Sequence, residues 1–444
     1  MATDVVDLLQ VLIRNRCVND GSPASGFEVR SVETLSDMLT GGITFEPAPG
    51  RGSVVYRVPG YDPTAPSLML MGHLDVVPVS EEGWSIDPFG AAVVDGFVWG
   101  RGAVDMLNMT AAMAVVFERW QREERPPLAG DLIFFAVADE EAGANLGAAS
   151  FLGAHPEALA CSHMLTEIAY PDISLGGVPT HLVNVAEKGL NWRQVHAAGV
   201  PGHASTPYGR SNALVPIAQM IIGLYDTPTP VAIGREWRAF LDALDIPPEL
   251  RSSLLDPDQI DEAIDRIGLT EPGLARYIDA CTHLSVAATM VSGGTKANTI
   301  ADHASLQVDV RMLLGQSNAD VDRHFRKALG PTFDELEIVV KADDEASSSP
   351  AEGILWESLG DAYEKHTGQR AMAPTMTPAA TDARFFRKKG VVSYGAGLFD
   401  DRVSFPDFLD MFHGNDERIS VDSLYKTVEF LDTVVSAFDS RSRL

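Results

Sequence analysis

Three short apolar runs in the first half of the chain each end on a residue that can bind a metal ion or move a proton. Residues 67–71 lead into Gly72-His73-Leu74-Asp75, residues 131–138 into Asp139-Glu140-Glu141, and residues 162–166 into Glu167. A stretch of helical periodicity, 109–122, lies between the first two. Strands alternating with helices predict an α/β sheet covered by helices. Ligands in such sheets bind beyond the carboxyl ends of the strands, so these side chains are expected to converge on one crevice. A hairpin is expected over 91–99, turning at Asp95-Gly96. The segment after it, Gly100-Arg101-Gly102-Ala103-Val104-Asp105, ends on another carboxylate, beside glycines that permit a tight turn. His413 sits in a loop, Phe412-His413-Gly414-Asn415, ahead of the last helical stretch.

The 444 residues suffice for two or three domains at roughly 150 residues each. Lys and Arg number 34 against 62 Asp and Glu, a net charge of −28. A surface this acidic repels phosphate backbones and anionic headgroups, which argues against nucleic acid and membrane partners. Cys17, Cys161 and Cys281 are widely spaced with no CxxC pair, which predicts a reducing, cytoplasmic setting and no thiolate zinc site. Val5, Leu8, Leu9, Leu12 and Ile13 fall at helical spacing behind Thr3 or Asp4 as N-cap. That segment has no basic region ahead of its apolar residues and reads as a helix of the mature protein rather than a signal peptide. No apolar run reaches the ~18 residues of a membrane span.

A different character begins near Glu187. Strands are expected over 189–199, 285–291, 303–313 and 336–341, with helices over 211–225 and 318–328. Residues 226–283 form a Pro-rich, strongly charged helical stretch. These elements suggest an α+β unit, 187–343, inserted into a first domain made of 1–186 and 344–444. Residues 343–350 read as the hinge. The helix at 353–366, the strand at 391–395 and the helix at 421–438 would complete the first domain.

Residues two apart in an extended chain face the same way, so Asp75 is expected to accept a hydrogen bond from the His73 ring nitrogen that does not bind metal. Adjacent Glu140 and Glu141 point in different directions and should hold different roles, one binding metal and one facing substrate as a general base. Taken singly, each has an ordinary explanation: an HxD pair, a solvated DEE loop, a turn aspartate. The ordered set is what carries information.

That set resembles the co-catalytic zinc hydrolases that include acetylornithine deacetylase, succinyl-diaminopimelate desuccinylase, aminoacylase and carboxypeptidase G. The matching stretches are MGHLDVVP (71–78), WGRGAVDM (99–106), ADEEAG (138–143), TE (166–167), GHAS (202–205) and HGNDE (413–417), in the family's order. The resemblance implies a zinc-peptidase-like catalytic domain with a central mixed sheet covered by helices, plus an inserted α+β lid or dimerisation domain. It also implies two zinc ions per chain, with cobalt or manganese as possible substitutes. His73 and Glu167 would bind one, Glu141 and His413 the other, and Asp105 both. Glu140 would be the general base for hydroxide attack on an amide carbonyl, with Asp75 as the hydrogen-bond partner of His73.

Further roles follow only from the likeness. His203 would reach the partner subunit's active site in a homodimer and stabilise the oxyanion; a histidine bonded locally is the alternative. Asn298 would contact the substrate region. Arg384 matches a position suited to gripping a substrate carboxylate, or to a structural salt bridge. A Glu at 167 favours substrates with a free carboxylate and an acylated amine. Leu107-Asn108, Ala379-Ala380 and Ala301 depart from the family pattern without removing a proposed metal ligand. The expected function is therefore hydrolysis of an N-acyl amino acid or small peptide-like amide. A dipeptidase or carboxypeptidase with the same site, or an inactive binding protein of the same fold, are the alternatives. A serine hydrolase is disfavoured by the lack of a G-x-S-x-G elbow.

Overall fold

The strands Leu68–His73 and Leu132–Val137 are buried at every position, as inner strands must be. With His163–Thr166 they run parallel, Leu68 opposite both Leu132 and His163. The structure is a computed structural model describing residues 3–443 apart from 123–124 and 176. Among the described residues the large sheet has nine strands. Its order is Ile43–Phe45, Ser53–Val58, Leu132–Val137, Leu68–His73, His163–Thr166, Val392–Gly395, His181–Glu187, Ser347–Ser348, with Met372–Thr377 also paired to His181–Glu187. The outer pairings are antiparallel on both sides, so the sheet is mixed. The parallel centre places the carboxyl ends of three neighbouring strands at one edge, where the expected crevice lies.

Helices cover both faces. Val5–Arg14, Leu107–Gln121, Ile354–Thr367 and Val421–Ser442 share one apolar cluster with the sheet. Asp4 caps the first of these, accepting from Val6 N at 2.9 Å. The Leu107–Gln121 helix lies so close to the strand that a Cβ on Gly72 would stand 2.3 Å from Thr110 Oγ1. Thr110 Oγ1 instead donates to His73 O at 2.9 Å, fixing the strand end. The opposite face buries Phe135 against Phe151, ring centroids 5.0 Å apart.

The chain leaves the large sheet at Glu187, and Gly189 opens a strand of a second, antiparallel sheet. Its order is Ser285–Gly293, His303–Met312, Gly189–Ala198, Glu337–Asp344. Leu214–Asp226 and Asn318–Leu329 cover it, closing a separate core around Ile217, Met220, Leu306 and Phe325. The protein is thus a mixed α/β domain with an inserted α+β unit.

One expectation needs correction. The charged stretch 226–283 does not extend the insert: its helices Arg235–Ala243, Pro248–Leu255, Ile260–Gly268 and Pro272–Thr282 bury Trp237, Phe240, Leu254, Tyr277 and Ile278 in the core of the large domain. Their charges occupy the outer faces, while the apolar stripe needs a larger partner surface than the small sheet offers. Residues 343–350 carry the return from the insert to the large sheet. Ser347 and Ser348 pair with Glu187 and Ala186, and the buried Glu187 carboxylate accepts from Ser347 Oγ at 2.5 Å and Arg387 Nη1 at 2.8 Å. Lys188 between the two sheets is fully buried and donates to Ala280 O, His283 O and Ser285 Oγ at 2.7–2.8 Å. Burial pulls its pKa down to about 7, since the site disfavours the charge and its three acceptors are all neutral. Among the described residues no helix is long and apolar enough to cross a membrane.

Candidate active site

The expected metal ligands meet at the carboxyl edge of the sheet in two groups that share Asp105. His73, Asp105 and Glu167 form one, and Asp105, Glu141 and His413 the other, ligand atoms within each lying within 4.8 Å of one another. His73 Nε2 is 3.2 Å from Asp105 Oδ1 and 3.4 Å from Glu167 Oε2. His413 Nε2 is 3.4 Å from Asp105 Oδ2 and 3.2 Å from Glu141 Oε2. Asp105 is therefore placed between the two imidazoles, one oxygen to each. Glu140 lines the same cavity and belongs to neither group.

His73, Glu141 and Asp105 are held from behind. The His73 ring is oriented by Asp75, but through its backbone: Nδ1 lies 2.9 Å from Asp75 O, whereas the carboxylate is 3.8 Å away. The Asp75 carboxylate instead accepts from Glu140 N at 3.2 Å and Glu141 N at 3.1 Å, and from Asn19 Nδ2 at 2.8 Å. The chain bends after His73, so the two side chains do not face one way as strand alternation implies. Asp75 therefore positions both glutamates as well as the histidine.

Asp139 precedes the glutamates in a left-handed conformation, φ +69°, uncommon for a residue with a side chain. Its side chain is fastened to fully buried Arg51, Nη2 to Oδ1 at 2.7 Å, and accepts from Leu146 N at 2.7 Å. Arg51 also pairs with buried Glu28 at 2.8 Å. Glu417, quoted in the HGNDE motif without a role, holds the Asp105 loop. It accepts from Gly102 N, Val104 N and Asp105 N at 2.6–3.0 Å and pairs with Arg101 at 2.8 Å. Arg51 and Glu417 were invisible as site residues because their signal is long-range geometry rather than local spacing.

The electrostatics are those of crowded carboxylates. Burial, then Glu167 and Asp382, push Glu140 well above the usual carboxyl range. Burial and Asp105 push Glu141 up to about 7, against the hydrogen bond from His413. Hydrogen bonds to Asp105 and Glu141 draw His413 up to about 10. Asp105, bonded by both imidazoles, stays below its usual range despite burial. Burial pushes Asp382 up to about 8 against neighbouring Arg384, and neither of its oxygens has a hydrogen-bond partner among the described residues. Glu141 Oε1 is likewise buried without a partner. Like charge concentrated around an orphaned carboxylate oxygen is what a cation would relieve, so the residues fit metal ions, and N/O donors without thiolate suit zinc.

The cavity has a volume of about 440 Å³, within the range of small-molecule sites. Arg384 lines it, yet donates to Thr381 O at 2.6 Å and Gly143 O at 3.2 Å, with Asp344 3.4 Å from its Nε. Leu190, Trp192 and Arg311 of the inserted sheet line the opposite wall. Arg311 is a second cation that sequence reasoning missed; its placement depends on the insert folding over the site. His203 and Asn298 are not brought to this cavity. They sit together on the insert, where Gly202–His203 pairs with Thr299–Ile300 and exposed His203 bonds Ser205 Oγ at 2.7 Å.

Residues 69–437 match Peptidase family M20/M25/M40. The chain belongs to this family. Members of it are metal-dependent and hydrolyse amide bonds, and this M20 chain is an amide-bond hydrolase. It is 26% identical over 388 residues to the probable carboxypeptidase S-like 2 of Dictyostelium discoideum, covering 85% of this chain and 73% of that protein. It is 24% identical over 403 residues to the N-fatty-acyl-amino acid synthase/hydrolase PM20D1 of Homo sapiens, covering 87% and 77%. Its fold is shared with the M20 metallo-carboxypeptidase Sso-CP2 of Sulfolobus solfataricus, with a TM-score of 0.73 at 17% identity over 99% of this chain and 100% of that one.

Arg51 carries a prediction. Arg51→Met leaves Glu28 and Asp139 as unpaired buried carboxylates, and should cost about 3–5 kcal/mol of stability. Urea denaturation measures it, and an unchanged midpoint would show that the ion pair contributes nothing.

Proposed function

We propose that this M20 chain is a two-metal amidohydrolase that cleaves the amide of an N-acyl amino acid or a small peptide-like substrate. The carrying observation is the pair of ligand groups sharing Asp105, with Glu140 outside both but in the same cavity. His73, Asp105 and Glu167 would hold one zinc ion, and Asp105, Glu141 and His413 the other. When bound, the ions supply Lewis acidity for the carbonyl and lower the pKa of the attacking water. Glu140 takes that water's proton at its carboxylate and returns it to the departing amine nitrogen. Asp75 fixes the direction of that carboxylate through the Glu140 amide.

Arg311 and Arg384 both line the cavity with N–H groups to spare, and Arg311, whose Nη1 is left over from its pair with Asp309, can bind the carboxylate of an acylated amino acid. A carboxypeptidase would use the same groups, and the likeness to carboxypeptidase S-like 2 keeps that reading in the substrate panel. The similarity to PM20D1 supports N-acyl amino acids. Unpaired Cys17, Cys161 and Cys281 suit a reducing, cytoplasmic setting.

The insert supports a homodimer. Its edge strand Ser285–Gly293 exposes Met290 and Val291, and the adjoining helix exposes Val215, Ile222 and Tyr225, the last 93% exposed. An apolar helix beside an open strand edge is a surface that a second copy covers. In that dimer His203 would serve the partner's cavity, which explains its distance from its own.

Three experiments test these claims. Glu140→Gln should keep its metal while losing roughly 10²–10⁴-fold in turnover, and chelation of the unaltered protein should abolish activity until zinc is restored. Turnover that survives both would sink the mechanism. Arg311→Ala should raise KM for carboxylate-bearing substrates about tenfold to hundredfold with little change in kcat; an unchanged KM removes Arg311 from recognition. Mixing inactive Glu140→Gln with inactive His203→Ala chains should restore activity if His203 works across a dimer, and no recovery after subunit exchange overturns it.

A further inference from the structure

Of the residues in the two ligand groups, His413 is the most open: 57% of its side chain is exposed, against 12% for Asp105 and less for the others. It stands at φ +56° in the loop between the helix Phe405–Met411 and the strand Arg418–Ser420, and Asp416 in the same loop has φ +57°. Residues with side chains hold such angles where their surroundings fix them. Those surroundings are three successive residues, Gly83, Trp84 and Ser85, on the segment that follows the His73 strand. Ser85 donates to the Asp416 carboxylate from N and from Oγ, each at 2.7 Å. Asn415 packs so closely on Gly83 that a Cβ there would stand 2.1 Å from Asn415 Nδ2. The Trp84 ring lies 5.3 Å from the guanidinium carbon of buried Arg101, whose Nη2 donates to Gly414 O at 2.8 Å.

We infer that residues 83–85 clamp the His413 loop, so that Ser85 and Asp416 are positioning residues that set the affinity of the Asp105, Glu141 and His413 group for its ion and leave the His73 group unaffected. The inference rests on the two-metal reading above. The His73 group is built without the 412–417 loop: His73 ends a buried strand, Asp75 O orients its ring, and Thr110 holds its carbonyl. His413 has no strand beneath it, and its backbone is placed by what the loop is tied to. An ion that must first order a loose ligand loses part of its binding free energy to that ordering, and a loop held beforehand spares it. Arg101 and Glu417 also hold the Asp105 loop, which both groups share. The charge-assisted pair of bonds from Ser85 to Asp416 is therefore the part of the clamp that acts on one group alone.

Equilibrium titration of the full chain with zinc against a chelating buffer yields a dissociation constant for each ion. Asp416→Gly removes the carboxylate and accepts the positive φ. It should raise one constant about tenfold to hundredfold and leave the other within about twofold. Asp416→Asn keeps an oxygen for the Ser85 amide and tolerates the same backbone angle, so it should restore most of that loss. In a His413→Ala background, where the clamped ligand is already gone, Asp416→Gly should change nothing further. If Asp416→Gly fails to fold, Ser85→Ala, which removes the hydroxyl bond only, should raise the same constant about twofold to tenfold. Constants that stay put, constants that rise alike, or a further loss in the His413→Ala background overturn the clamp and leave the two-metal reading standing. An unaltered chain that binds fewer than two ions overturns that reading and the clamp together.

Discussion

Four carboxylates and two imidazoles share the edge of one sheet, and their mutual repulsion and attraction govern how the surrounding chain is arranged. Two like charges about 4 Å apart repel by about 4 kcal/mol at an effective dielectric of about 20, so each acid must be held against the others. The protein does this from the backbone side. Asp75 takes the amides of Glu140 and Glu141, Glu417 takes three amides of the Asp105 loop, and Arg51 neutralises Asp139 and Glu28 behind them. The supporting Glu417 and Glu28 are wholly buried, while His413 keeps 57% of its side chain exposed. A rigid, inward scaffold leaves the ligand atoms open to the cavity, where a cation offsets the repulsion that the scaffold contains.

This division explains what was legible in the sequence. His73, Glu140, Glu141 and Glu167 were readable because each follows an apolar run that can only be an inner strand, and parallel inner strands deliver their ends to one place. Asp105 and His413 needed the likeness to known hydrolases, since neither stands at the end of an inner strand. The His73–Asp75 contact was misread because two-residue alternation holds only while the chain stays extended, and here the carbonyl, not the carboxylate, meets the ring. The strands Ser53–Val58 and Met372–Thr377 escaped notice: one carries Tyr and Arg, the other Pro374, and neither has a strong apolar run. The hairpin at Asp95-Gly96 was legible from two residues, both of which adopt positive φ.

The helical stretch 226–283 shows where periodicity stops being informative. Its charge spacing marks amphipathic helices correctly, but a stripe of apolar residues does not name the surface that covers it. Chain order suggests the neighbouring insert, because the stretch lies between two of its strands. Area decides otherwise. Trp237, Phe240, Leu254, Tyr277 and Ile278 are too much apolar surface for a four-stranded sheet already covered by two helices, and the large domain offers the Phe405–Met411 helix and the Met372–Thr377 strand.

That choice has a consequence for the site. Because the helices dock on the catalytic domain, the wall of the cavity is fixed to the same rigid body as the metal ligands, whereas Arg311 and Trp192 arrive on the insert. The cavity is lined by two bodies, and the chain passes between them at Glu187-Lys188, between Asp226 and Arg235, between Thr282 and Ser285, and at the Ser347–Ser348 return. Glu187 binds both the return strand and Arg387, two residues past the Phe385 ring on which Arg384 lies, so the joint and one side of the pocket are a single hydrogen-bonded unit. Lys188 at the first of these crossings donates to Ala280 O and His283 O at the end of the Pro272–Thr282 helix and to Ser285 Oγ on the insert, and so ties both bodies at one point.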